Sequence, residues 1–403
     1  MKIDALDYFY LSMPEILDIG DGSQDTLLVR LEAGGHVGWG ECEASPLVTL
    51  AAMVCPKSHG ACWPVQDSVL GQRLESVDDI VRIGNEVRAN SLDMLQADHA
   101  LSGIDIAMWD ALARARDVPV YQLLGYPRAT PKTPYASVLF GDSPQETLHK
   151  ARGIRAEGYR AAKFGWGPFG KGTVAEDEAQ VRAAREGLGE GGILLIDAGT
   201  VWVDDVERAS QVLPVLDECR ATWLEEPFVS GALAEYRRLA ELAGQSGAVR
   251  LAGGEGAHTF FVAQHMIDYA GIGYVQIDAG RIGGITEAKR VADYARTKGV
   301  TFVNHTFTSH LTLVSSLQPM AADPASGSAP EAGSDALCEY PTELKPMAYE
   351  MSRQHITPDA DGLLRLPESP GLGVEPDMEG VRKYLVEVEM RAKGRLLYRT
   401  PAI

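Results

Sequence analysis

Residues 192–227 read "GILLIDAGTVWVDDVERASQVLPVLDECRATWLEEP". Two short apolar runs, "GILLIDAG" and "ATWLEEP", each end among acids, and a spacer of helix length separates them. Runs of this kind suit strands buried on both faces, and a helix-length spacer points to a parallel βα unit rather than a hairpin. Working outward, the same beat extends from about residue 133 to about 341 through "TPYASVL", "AAKFGW", the two runs above, "VRLAGGE", "GYVQID", "VTFVNHT" and "ALCEYP". Helical stretches such as "ETLHKARGIRAEG" and "ITEAKRVADYARTKG" alternate with them. Eight such runs predict an α/β fold in which parallel βα units close into a barrel. The connection "LQPMAADPASGSAPEAGS" before the last run is irregular and partly rich in Gly, Ser and Pro.

Ahead of the barrel, "DTLLVRLEA" and "VGWGE" alternate like strands around a turn at Gly34 and Gly35, and the region from about 76 to 125 is helical. Within it, "HALSGIDIAMWDALARA" repeats Leu101, Ile104, Met108 and Leu112 at helical spacing until "DVPVYQLLG" stops the helix. The expected organisation is an α+β capping module over residues 1–130, the barrel over 131–345, and a segment over 346–403 that returns to cover the first module.

With 403 residues and 45% apolar content, the chain can bury a large core. Its formal charge of -19, from 37 Lys+Arg against 56 Asp+Glu, repels polyanions and argues against nucleic acid or an anionic membrane as partner. No basic start precedes an apolar segment, and no apolar run approaches the roughly 18 residues needed to cross a bilayer, so a cytoplasmic protein is expected. Five scattered cysteines argue against a disulfide framework. Cys55 and Cys62 flank His59 in "CPKSHGAC"; a zinc site there would need a fourth ligand and tighter spacing, and a reduced loop-borne pair is the simpler expectation.

In a βα barrel the chemistry gathers where the strands end. The last polar side chains of the runs are Lys163, Asp197, Glu225, Glu255, Asp278, His305 and Glu339. Three carboxylates on successive strands, Asp197, Glu225 and Glu255, repel one another in a partly dry mouth unless a cation offsets them, and an all-oxygen set favours Mg²⁺. Asp278 and His305 end neighbouring strands, so the carboxylate can hold one imidazole nitrogen and leave the other as a base. His310 falls at a helix start where Thr308 or Ser309 can cap, and is expected behind the site.

These residues, together with "IDIAMWD", "IDAGTVW", "WLEEP", "GGE", "QIDAGRIGGITEA" and "NHTF" in order, resemble the mandelate racemase group of the enolase superfamily over nearly the whole chain. The resemblance implies a (β/α)7β TIM-like barrel beneath an α+β cap formed by the N-terminal part and the C-terminal tail. It implies metal ligands at Asp197, Glu225 and Glu255 and a dyad of His305 and Asp278. Glu339 then falls on the acid that hydrogen-bonds an enediolate or carboxylate oxygen, and Lys163 on a lysine that points its charge at the substrate carboxylate. The implied step is removal of the proton α to a carboxylate. Two departures stand out: Gly165 occupies the place of the second, catalytic lysine of a Lys-x-Lys pair, and Gly199 occupies the place of an asparagine.

With one clear acid/base group, the expected reaction is dehydration of an acid sugar, an aldonate or aldarate, to a 2-keto-3-deoxy acid by a hydro-lyase. The alternative is a cycloisomerase, racemase or epimerase working with Lys163 on one face and His305 on the other, and a more remote one is a barrel without catalysis. Trp166 and Phe169 either line the pocket or pack within their loop. Substrate choice is expected to lie in the cap, in "LSMPEILDIGDGSQD" and in residues 42–65, where Lys57, His59 and Trp63 either contact a ligand or sit on an exposed loop. The expected partner is a small-molecule carboxylate, and the family's habit implies a homo-oligomer of unspecified size.

Overall fold

Strands β1 (Ile3–Ser12), β2 (Asp25–Ala33) and β3 (His36–Glu43) form an antiparallel three-stranded sheet. The structure, a computed structural model, describes residues 1–322 and 337–403. The helix Ala97–Arg116 lies across this sheet and is buried on nearly every side. Such a helix must be sandwiched between two layers. On one side it meets β3 at glycines: a Cβ on Gly38 would stand 2.0 Å from the Ala107 carbonyl, and one on Gly40 2.0 Å from that of Gly103. On the other it grips the barrel, where the Trp109 indole donates to Thr286 Oγ1 (2.9 Å) and the Gly283 amide to Ser102 Oγ (2.8 Å).

The eight apolar runs are eight parallel strands: β4 (Thr133–Leu139), β5 (Ala161–Gly165), β6 (Ile193–Asp197), β7 (Ala221–Glu225), β8 (Arg250–Gly253), β9 (Tyr274–Ile277), β10 (Thr301–Asn304) and β11 (Leu337–Pro341). Each pairs with its predecessor from β4 to β10, and β11 returns to pair with β4. At the seam between β10 and β11 a side chain bridges the strands. Asn304 accepts from the Glu339 amide (2.8 Å) and donates to the Glu339 carbonyl (3.3 Å). Lateral register aligns Gly165 with Asp197 and Asp197 with Glu225, so these three residues form one row across β5, β6 and β7.

After the barrel the chain runs back to the cap. The Val386 amide donates to the Tyr10 carbonyl (2.8 Å) and the Tyr398 hydroxyl to that of Tyr8 (2.5 Å), the latter from the hairpin β12 (Glu389–Ala392) and β13 (Arg395–Arg399). The irregular connection before β11 begins with a short turn at Gln318–Met320, and from residue 323 it lies outside the described residues. Among the described residues no helix is long and apolar enough to cross a membrane. All five cysteines are free, and His59 turns to Asp93 (3.2 Å) rather than toward the two cysteines beside it.

Candidate active site

A cavity of about 250 Å³ opens where the strands end, lined from the barrel by Ser137, Lys163, Gly165, Trp166, Asp197, Glu255, Arg281, His305 and Phe307 and from the cap by Gly20, Asp21, Gly22 and Glu43. Asp197 closes β6 and Glu225 closes β7, while Glu255, Asp278 and His305 stand just beyond β8, β9 and β10. Lys163 and Glu339 differ from the strand-end expectation: both sit in the middle of their strands, deeper in the barrel.

The predicted residues form two connected groups. Lys163 Nζ lies 2.6 Å from Glu225 Oε1, 2.8 Å from Glu339 Oε1 and 3.4 Å from Asp197 Oδ2. Burial opposes its charge, but Glu225, Glu339 and Asp197 together hold the ammonium well above the ordinary lysine range. Ser137 Oγ donates to Glu339 Oε1 (2.8 Å), and the Thr306 amide to Oε2 (2.8 Å). In the second group His305 Nδ1 lies 3.0 Å from Asp278 Oδ2, and Nε2 lies 3.0 Å from Glu255 Oε2. The Gly280 amide fixes the other oxygen of Asp278 (2.6 Å). Burial alone would lower the imidazole; Glu255, Glu339 and Asp278 outweigh it and hold the ring well above its ordinary value.

Several residues of the site carry no signal in a strand-end reading. Glu226, beside Glu225, accepts from the Gly254 amide (2.7 Å) and the Tyr236 hydroxyl (2.8 Å), and so ties the end of β7 to the loop after β8. Arg281 holds Glu43 of the cap through Nε (2.6 Å) and Nη2 (2.7 Å), 238 residues away in sequence. Ser309 and Thr312 hydroxyls donate to Glu41, a second tie from the cap to the helix after β10. Only pairing across two modules explains the contacts of Glu43 and Glu41, and no local pattern marks them.

Trp166 lines the cavity with its indole between two glycines: a Cβ on Gly20 would stand 2.5 Å from Cδ2, and one on Gly199 2.7 Å from Cε2. Gly199, which departs from the asparagine of the resembled family, thus makes room for the indole. Phe169 is buried and packs against Phe140 of the loop after β4, centroids 5.1 Å apart, rather than lining the cavity. Lys57, His59 and Trp63 are not among the cavity's lining residues; Lys57 Nζ sits 3.5 Å over the Trp63 ring. His310 lies behind the site, accepting the Ile356 amide (3.3 Å), with Ser309 capping its helix.

Asp197, Glu225 and Glu255 fit a divalent cation by their chemistry. Burial first, then repulsion from neighbouring carboxylates, raises Asp197 and pushes Glu225 up to about 8, with Lys163 pulling the other way. Buried oxygens whose charges oppose one another are the donors a hard cation stabilises. Among the described residues it is the ligand atoms of Glu43, Asp278 and His305 that lie within 4.8 Å of one another, but there Arg281 already faces Glu43 and His305 faces Asp278.

The enolase C-terminal domain-like family matches residues 146–380, and the N-terminal domain of mandelate racemase / muconate lactonizing enzyme matches residues 20–125. The chain belongs to the mandelate racemase / muconate lactonizing enzyme family. Within the enolase superfamily, a crystal structure described as a predicted mandelate racemase from Rhodobacter sphaeroides superposes with a TM-score of 0.92 at 57% identity, covering 100% of both chains. D-galactarolactone cycloisomerase of Agrobacterium fabrum is 28% identical over 370 residues, 89% of this chain and 90% of that protein. D-galactonate dehydratase of Variovorax paradoxus is 28% identical over 357 residues, 86% of this chain and 87% of that protein. The (β/α)7β barrel with its α+β cap is the fold of this family, as the strand pattern and motifs anticipated.

Proposed function

We propose that the protein abstracts the proton α to the carboxylate of an acid sugar, an aldonate or aldarate, and dehydrates it to a 2-keto-3-deoxy acid. The observation that carries this is His305, the one histidine among the described residues lining the cavity, with Asp278 on one nitrogen at 3.0 Å, together with Gly165 where a second lysine would stand. Asp197, Glu225 and Glu255 would hold Mg²⁺, which when bound supplies positive charge against the developing enediolate.

Asp278 orients the imidazole through Nδ1, and Nε2 of the neutral ring takes the α-proton; Asp278 then stabilises the imidazolium. This requires Glu255, 3.0 Å from Nε2, to give up that contact, as it would if it held Mg²⁺. The same proton then passes to the β-hydroxyl as its C–O bond breaks; water leaves, and the enol that remains becomes the 2-keto acid. One group on one face suffices for such a syn elimination. Lys163 lines the cavity and can offer its charge to the substrate's carboxylate oxygens, with Glu339, 2.8 Å from its Nζ, holding it in place.

The similarity to a D-galactarolactone cycloisomerase supports a second reading, isomerisation with Lys163 acting on the opposite face. Against it, three carboxylates already surround Lys163 Nζ, which suits a fixed charge better than a proton shuttle. The two differ in leaving group: dehydration releases water from an open-chain acid, cycloisomerisation opens a lactone or anhydro ring to a 2-keto acid without losing any atom, and racemisation or epimerisation forms no 2-keto acid. Screening mono- and diacid sugars with Mg²⁺ for 2-keto acid formation tests the proposal, with activity expected to vanish on chelation. Deuterium exchange at the α-carbon without any 2-keto acid would favour racemisation or epimerisation, and 2-keto acid formed from lactone or anhydro acids but not from open-chain acids would favour cycloisomerisation. Absence of exchange with every carboxylate would remove the enzymatic reading.

A further inference from the structure

Each cation at this cavity is already matched. Lys163 is engaged by Glu225, Glu339 and Asp197. Arg281 spends its guanidinium on the Glu43 carboxylate and on the Glu255 carbonyl (3.4 Å). His305 lies between Asp278 and Glu255, and at the rim Lys345 is 3.1 Å from Asp21. Residues 323–336, "DPASGSAPEAGSDA", contain no Lys, Arg or His, so the part of the chain outside the described residues adds no cation.

The outer end of the cavity presents Gly20, Asp21, Gly22, Trp166 and Phe307. A carboxylate placed there would meet Asp21, already paired with Lys345, and no unpaired cation among the described lining residues, and burying a charge without a partner is costly. The Trp166 indole, 38% exposed and braced by Gly20 and Gly199, offers instead a rigid aromatic face suited to the C–H side of a hydroxylated carbon skeleton.

We infer that the substrate is a monocarboxylate whose distal end is uncharged and lies against Trp166, so that sugar diacids are discriminated against by the outer cavity. This rests on the reading above, in which one carboxylate goes to the inner end near Lys163 and the acidic ligands. It narrows that reading from aldonate or aldarate to aldonate, or to a lactone that retains one free carboxylate.

The test compares a six-carbon aldonate with the aldarate of matching configuration, each with Mg²⁺, by calorimetric binding and by kcat/KM. The aldonate is expected to bind at least about tenfold more tightly and to turn over at least about a hundredfold more efficiently, the scale of leaving a charge without a partner. Trp166→Ala should weaken aldonate binding by about tenfold, as loss of an aromatic face does. An aldarate that binds and reacts as well as the aldonate, or aldonate binding indifferent to Trp166→Ala, would overturn the inference while leaving the acid-sugar reaction in place. No α-deuterium exchange with any sugar acid would remove the reaction, and the inference with it.

Discussion

At Gly165 an added Cβ would stand 2.8 Å from Asp197 Cβ and 2.9 Å from its Oδ2, because β5 and β6 pair these two residues side by side. A larger side chain here would push on a proposed metal ligand before it reached any substrate. Overpacking of this kind costs about 1–3 kcal/mol. Gly165→Ala is therefore expected to lower stability by that amount in a denaturant titration and to weaken Mg²⁺ binding by about tenfold in calorimetry. Unchanged Mg²⁺ affinity would contradict the proposed role of Asp197. The departure from a Lys-x-Lys pattern was legible in "AAKFGW", and so was the row of acids that follows it. The reason for the glycine was not, because it depends on the lateral register of two strands whose sequences lie about one helix apart. Trp166 was open in the same way: its neighbours Gly20 and Gly199 come from the cap and from the loop after β6.

Between elements, the seam of the barrel depends on one amide. Asn304 substitutes for a strand ladder by serving both backbone groups of Glu339, and its neighbour His305 follows directly in sequence. Asn304→Ala would leave a buried N–H and a buried C=O without that partner, at about 1–3 kcal/mol for each. Urea unfolding should show a loss of that order, and kcat should fall because Glu339 and His305 flank the break. A loss below about 0.5 kcal/mol, the range of an ordinary surface change, would show that the seam does not need the bridge. The eight strands themselves were readable because short apolar runs recur at regular spacing. The seam was not readable, since "NHTF" gives no sign that its first residue closes the sheet.

At the scale of the whole molecule, cap and barrel meet through charges far apart in the chain: Arg281 with Glu43, Lys345 with Asp21, and Glu41 with the Ser309 and Thr312 hydroxyls. The sequence could indicate a cap and name the loop around residues 11–25 as part of the pocket, but not which of its acids faces which cation. Buried histidines away from the cavity give a pH test of this packing. Burial first, and then repulsion from His355, lowers His310 to about 4. The unfolded chain takes up this proton below about pH 6.5, the folded chain only near pH 4, so the stability from a neutral His310 is present above about 6.5 and lost as pH falls toward 4. Asp105, which burial pushes up to about 7, acts in the opposite sense, so the total curve mixes the two. The difference isolates one of them: the Tm of His310→Gln relative to wild type should rise as pH falls from about 7 to about 5. A difference that stays constant across that window would contradict a neutral, buried His310.

The central claim, that His305 removes a proton α to a carboxylate, is tested most directly by NMR in D₂O with Mg²⁺ and a sugar acid that reacts in the screen. Wild-type protein is expected to deplete the α-proton signal as 2-keto acid forms, and His305→Asn, with unchanged Mg²⁺ binding, to leave it intact. Loss of the α-proton by His305→Asn at the wild-type rate would contradict the account.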